Sequence, residues 1–190
     1  MRVRKSTGFG IAIFATSVVL ALRAQDTADQ KMDTGSTKIM KSADATFAMK
    51  AAQGGLAEVK MGKLAADKGN SADVKAFGQQ MVDDHSKAND DLKSVAEKEN
   101  MTLPADVNAH QRAMYNRLEK LSGEAFDRAY IRDMVMDHEE DVKEFQKEAN
   151  NGKEDQIKAF ASRTLPVIQG HLDKIKSIQS NMPKAGAPAK

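Results

Sequence analysis

The sequence predicts an all-α protein: a four-helix bundle of two antiparallel hairpins, joined by a long crossover that carries a short extra helix. Three observations lead there. The chain is 41% hydrophobic and 29% charged, with 5% aromatics, no Trp and four Pro, a balance that suits helices and starves strands. Four long stretches carry apolar residues spaced alternately four and three apart, the period of one helix face. Finally, a nine-residue pattern occurs twice. Phe77-Gly78-Gln79-Gln80-Met81-Val82-Asp83-Asp84-His85 is echoed by Tyr130-Ile131-Arg132-Asp133-Met134-Val135-Met136-Asp137-His138. An aromatic, Met-Val and Asp-His agree in order, and Leu92 and Phe145 each follow their histidine by seven.

Residues 1–24 read as a secretory signal peptide. Arg2, Arg4 and Lys5 precede an apolar run from Phe9 to Leu22 that is too short to span a bilayer, and small residues follow. Of the 29 Lys and Arg, four (Arg2, Arg4, Lys5, Arg23) would leave with it, so the mature chain holds 25 basic against 27 acidic residues. The basic pI therefore belongs to the export signal, and nucleic acid is not expected as a partner. No second long apolar run exists, so no transmembrane segment is expected after cleavage. The absence of cysteine excludes disulfides, thiol catalysis and iron–sulfur ligation, and it fits an oxidising compartment. The expected location is the periplasm or cell envelope, with an envelope partner or a second copy of the chain as the open partners.

Residues 25–42 are polar and aperiodic, as in a flexible leader. The bundle domain is expected over residues 43–182. Its first helix should start near Ser42 or Asp44 and run to Lys68, with the stripe Phe47, Ala51, Gly54, Glu58, Met61, Ala65. Gly54-Gly55 inside it costs roughly 1 kcal/mol per Gly against Ala, which suggests close approach of a neighbouring backbone. Gly69-Asn70 stops this helix and Ser71 caps the next, which runs to about Glu99 with Val74, Gly78, Met81, His85, Ala88, Leu92 and Val95 facing inward. So short a break makes the two an antiparallel hairpin.

A loop from Asn100 to Pro104 and a shorter helix over residues 106–121 form the crossover. Ser122-Gly123-Glu124 opens the third long helix, with Ile131, Val135, His138, Val142, Phe145 and Ala149 inward. Asn151-Gly152 ends it. The fourth covers residues 154–182, with Ile157, Ala161, Thr164, Ile168, His171, Ile175, Ile178 and Met182. Pro166 inside it must kink the helix or leave the Ser162 carbonyl unpaired. Residues 183–190 read as a loose tail. Two hairpins joined by one long crossover is the ferritin-like arrangement, in which the second and third long helices run parallel.

Glu58, His85, His138 and His171 interrupt the four apolar stripes, each within about three residues of its helix centre, or roughly 5 Å. Burying one unpaired polar group costs about 1–3 kcal/mol, so a shared layer must satisfy itself internally. One solution is a single transition-metal ion, Zn, Fe, Mn or Cu, held by three imidazoles and a carboxylate. Asp84, Asp137 and Asp141 would then orient the rings or supplement the ligands. The other is a metal-free network in which Glu58 accepts from a histidine and water fills the rest. His110, beside Arg112 on the crossover, reads as a surface residue, and Met61, Met81, Met134 and Met182 read as core fillers. No nucleophile elbow, phosphate loop or Ser-His-Asp spacing is present. An enzyme would need an open coordination position and a substrate cavity, which the sequence does not display.

Ala52-Gln53-Gly54-Gly55-Leu56-Ala57-Glu58-Val59, residues 77–85, Leu121-Ser122-Gly123, Phe126-Asp127 with Tyr130, Met134-Val135 with Asp137-His138, and Leu165-Pro166 with His171-Leu172 resemble the bacterial domain of unknown function 4142 over about residues 43–180. The resemblance implies an exported protein, often labelled an outer membrane protein, with a ferritin-like fold and no established activity. No alternating strand pattern of a barrel accompanies that label here. Di-iron ferritins use Glu-x-x-His, whereas Val82 and Val135 stand three before His85 and His138. Ferroxidase or iron-storage activity is therefore not implied. Two functions follow as expectations: a metal-binding bundle in stress or metal handling, or a non-catalytic envelope protein with a metal-free polar core.

Overall fold

The computed structural model describes residues 43–183, which lie within one compact unit. The expected signal peptide and leader, up to residue 42, and the expected tail beyond residue 183 fall outside the described residues. Five helices follow one another: α1 (Ala43–Lys68), α2 (Ala72–Lys98), α3 (Ala109–Glu119), α4 (Gly123–Asn151) and α5 (Asp155–Asn181). Hairpin α1/α2 packs on hairpin α4/α5 through α2 against α5 and α1 against α4, while short α3 lies on α1 and α4. This is the predicted all-helical bundle with its crossover helix. No described helix is long and apolar enough to cross a membrane.

Two aspartates fix the directions of the helices. Asp127, in the second turn of α4, accepts the backbone N–H of Asn70 and of Ser71, both at 2.8 Å, and so caps the start of α2. Asp44, in the first turn of α1, accepts the N–H of Lys153 and of Glu154 at 2.6 Å and caps the start of α5. Each hairpin thus supplies the carboxylate that satisfies the orphan donors of the other hairpin's turn. The N-termini of α2 and α4 lie together, so those helices are parallel and the two Asp-His pairs come to the same height.

The core divides into two apolar clusters. One gathers Met61, Phe77, Met81, Phe126, Tyr130, Met134 and Ile175; the other gathers Phe47, Leu92, Phe145, Ile157, Phe160 and Ile168. On α2, α4 and α5, positions 85, 138 and 171 fall between these sets, and on α1 Glu58 follows Ala57 at the edge of the first. The methionines expected in the core are there: Met61, Met81 and Met134 are buried, and Met182 packs against the first cluster.

Local differences from the sequence reading have physical causes. The crossover helix is shorter than residues 106–121. Asp106 turns its carboxylate onto the Val107 N–H, Lys60 and Arg112, and Asn108 exchanges capping bonds with Gln111, so helix starts only at Ala109. Ser122 precedes α4 but its side chain makes no capping bond. Helix α5 runs on through Pro166, which faces solvent with Ser162, leaving that carbonyl accessible to water.

Gly54-Gly55 is not where backbones meet. A Cβ at Gly54 would touch nothing within 4 Å, and one at Gly55 would meet the Asn89 side chain. The close approach is Gly62 against Gly78, where added Cβ atoms would lie 2.7 Å and 2.6 Å from the opposing carbonyl oxygens. Gly78→Ala is therefore expected to lower stability by about 1–3 kcal/mol through overpacking, partly offset by helix propensity. Gly54→Ala should raise it by up to about 1 kcal/mol. Urea midpoints of the two variants moving in the same direction would show this contact is not decisive.

Candidate metal centre

Glu58, His85, His138 and His171 arrive from α1, α2, α4 and α5 and meet between the two apolar clusters. All four are at most 5% exposed. The ring centroids stand 5.9 Å (His85 to His138), 5.3 Å (His85 to His171) and 5.5 Å (His138 to His171) apart. One nitrogen from each of the three histidines lies within 4.8 Å of the other two. Phe77 walls the layer, with its ring centre 6.3 Å from those of His138 and His171.

Each imidazole is anchored on one nitrogen and bare on the other. His85 Nδ1 donates to Glu58 Oε2 at 2.8 Å. His138 Nδ1 donates to the Met134 carbonyl at 3.0 Å, which fixes that ring's tautomer because a carbonyl can only accept. His171 Nε2 donates to Asp84 Oδ2 at 2.8 Å, and Asp84 also accepts from Gln80. The remaining atoms, His85 Nε2, His138 Nε2, His171 Nδ1 and Glu58 Oε1, are all buried without a hydrogen-bond partner. Glu58 Oε1 faces His138 Nε2 at 3.5 Å, lone pair against lone pair. One anchored nitrogen and one free nitrogen is the state in which histidine ligates a metal.

Electrostatics divide the layer unevenly. Burial opposes ionising Glu58, but His85, with His138 and His171 beyond it, overcomes this and holds the carboxyl down at about 2. Burial also works against a charge on His85, yet Glu58 raises it above the usual imidazole value. His138 is lowered to about 4 by burial and by the neighbouring histidines, against the pull of Glu58. His171 is lowered as well, chiefly by burial. Asp137 is pushed up to about 7 by burial and by Glu58. Asp141 is raised well above the usual carboxylate range by burial, Glu58 and Asp137. The layer thus carries more carboxylates than its own cations can neutralise.

The three aspartates take different parts. Asp84 accepts from His171 and holds that ring. Asp137 and Asp141 do not orient a ring, because Met134's carbonyl already holds His138; they flank Glu58 instead. His110 is exposed, as expected, and lines a crevice of about 690 Å³ between α1, α3 and α4. Asp137, Asp141 and Gly54 line it too. A smaller cavity of about 20 Å³ beside Glu58 and His85 shares Gly54 and Asp141 with the crevice. The sequence reading passed over Tyr130 as a site residue. Its hydroxyl is buried without a partner, and burial with Glu58 nearby raises its pKa. Only its place in the repeated pattern set it apart beforehand.

The model of one protein family, described as "Domain of unknown function (DUF4142)", matches residues 29–178. Among solved structures, the chain is similar to a DUF305 fragment from Deinococcus radiodurans, with a TM-score of 0.64, 11% identity, 73% of this chain covered and 96% of that one. It is similar also to a conserved hypothetical protein from Mycobacterium tuberculosis, with a TM-score of 0.60, 14% identity, 77% of this chain covered and 96% of that one. Identities this low speak for the fold alone. No curated protein matches the sequence.

Proposed function

The chain belongs to the DUF4142 family, and on that footing we propose that it is an exported helical-bundle protein that holds one transition-metal ion in its mid-bundle layer, in a stress or metal-handling role. A single observation carries this reading: three buried histidines on three helices bring one nitrogen each within 4.8 Å of one another, and each ring keeps one nitrogen without a partner. Leaving each unmet costs about 1–3 kcal/mol, and one cation satisfies them together. Three nitrogens and one oxygen suit Zn, Fe, Mn or Cu, and His85 would release its extra proton on ligation. The basic start and short apolar run of residues 1–24, which read as an export signal, support a place in the cell envelope. The 2.8 Å Glu58–His85 contact favours one alternative, a metal-free polar core in a structural or interaction protein.

Melting temperature against pH, with and without Zn²⁺, separates the two. Asp137 has a raised pKa, so its stability contribution is complete below the ordinary carboxyl value of about 3.9 and is lost as pH rises through about 7, and Asp141, raised as well, acts in the same direction. His138 runs the other way. Its contribution is complete above about 6.5 and drains away as pH falls towards about 4. The metal-free protein should therefore lose stability between pH 6 and 8. Zn²⁺ at 100 times its Kd should add about 2.7 kcal/mol, roughly 5–10 °C, and more at the alkaline end, where ligands are deprotonated. Absence of any Zn²⁺-dependent shift across this range would favour the metal-free core.

A further inference from the structure

The cavity of about 20 Å³ beside the layer has polar walls in Glu58, His85, Asn89 and Thr164 and apolar ones in Phe160 and Ile168. A space of that size holds about one or two heavy atoms. The Thr164 hydroxyl is spent on the Phe160 carbonyl, whereas the Asn89 amide makes no hydrogen bond among the described residues. Asn89 lies inside α2 against Gly55 of α1, and its amide fills the space where a Gly55 side chain would begin. Glycine and asparagine both weaken a helix interior, and no hydrogen bond from this amide compensates for them. Local conflict of this kind is expected where a site has a function to serve. The way in is open. Gly54 and Asp141 line both this cavity and the outer crevice, and a side chain at Gly54 would begin in open space.

We propose that this cavity is the ligand side of the metal centre: it admits one small uncharged molecule to the ion, with the Asn89 amide as that molecule's hydrogen-bond partner. The inference rests on the reading of the histidine layer as a metal centre and adds an outside ligand to it. The three histidine nitrogens share one span of 4.8 Å, and the grouping that holds Glu58 is a separate one with Asp137 and His138. Three nitrogens leave a position for an outside ligand, and with Glu58 as fourth donor the shell can still expand to five. The walls select by size and by charge. Glu58 and Asp141 disfavour an anion, and no Lys or Arg lines the cavity among the described residues. An amide with two donors and an acceptor suits water, hydrogen peroxide or a diatomic gas.

The test loads the mature chain with one equivalent of Co²⁺, whose visible absorption reports its ligands, and titrates it anaerobically with nitric oxide. The wild type should show a saturable spectral change with nitric oxide and none with imidazole, which is too large for the cavity. Asn89→Leu removes the amide at similar volume and should weaken nitric oxide binding about 3-fold or more, with Co²⁺ affinity unchanged. Ala88→Leu, at a half-buried position on the cavity wall, should weaken it about 10-fold or more by filling the space, and it repeats the test should the first variant fold poorly. A Co²⁺ spectrum that nitric oxide leaves unmoved, an equal change with imidazole, or binding undiminished in both variants overturns the ligand position and leaves the histidine centre standing. Weakening in Ala88→Leu alone overturns the part given to Asn89. Failure of the wild type to take up Co²⁺ overturns the centre and its ligand together.

Discussion

The His85→Ala, His138→Ala protein should take up no stoichiometric transition metal while keeping its helices. The two rings supply two of the three free nitrogens, and they come from parallel helices diagonal to one another across the layer. With both gone, His171 Nδ1 and Glu58 Oε1 remain, too few donors for a tight site. Loss of one orienting partner typically costs 10–100-fold in affinity, so loss of two ligands should cost at least about 100-fold. The helices should survive, because each is anchored above and below the layer by the two apolar clusters and at its ends by Asp44 and Asp127. Circular dichroism should be unchanged while isothermal titration with Zn²⁺ falls silent. Binding of wild-type strength in this variant would remove the histidine layer from the account.

Replacing the whole layer by apolar residues should do the opposite to stability. Glu58→Leu, His85→Leu, His138→Leu and His171→Leu together remove the four unpartnered atoms that Glu58 and the histidines bury. Replacing a buried charged network by packed hydrophobic residues of similar volume is often neutral, or stabilising by about 1–4 kcal/mol. Glu58→Leu alone should instead destabilise the metal-free protein by about 3–5 kcal/mol, because it strips His85 of its acceptor and leaves three imidazoles in a dry layer. Urea midpoints of the metal-free proteins measure both. If the fourfold variant proves the less stable of the two, the layer is a satisfied structural network, and its polar groups are there to hold the fold.

Most of the fold was legible because periodicity and breaks spoke together. Gly69-Asn70 and Asn151-Gly152 cut the chain into hairpins, and the long crossover required two parallel helices. The layer was legible because Glu58, His85, His138 and His171 are out of character on otherwise apolar faces. What stayed hidden depends on rotation and contact between helices. The face of α1 is turned so that Gly55 lies against Asn89 and Gly54 opens to the crevice, which a stripe drawn through Gly54 cannot reveal. Asp44 and Asp127 read as ordinary acidic residues near helix starts, yet they cap turns far away in sequence. Asp84 and Asp137 hold equivalent places in the repeat but act differently. His171 reaches across to Asp84 on α2, whereas His138 finds the Met134 carbonyl one turn back on its own helix.

Whether the mid-bundle histidines hold a metal ion is decided by elemental analysis of the protein purified from its native compartment without added metal or chelator. Expected is at least one equivalent of a transition metal per chain, and less than a tenth of that in the His85→Ala, His138→Ala variant prepared in parallel. Trace metal only in the wild type, or equal metal in both proteins, would contradict it.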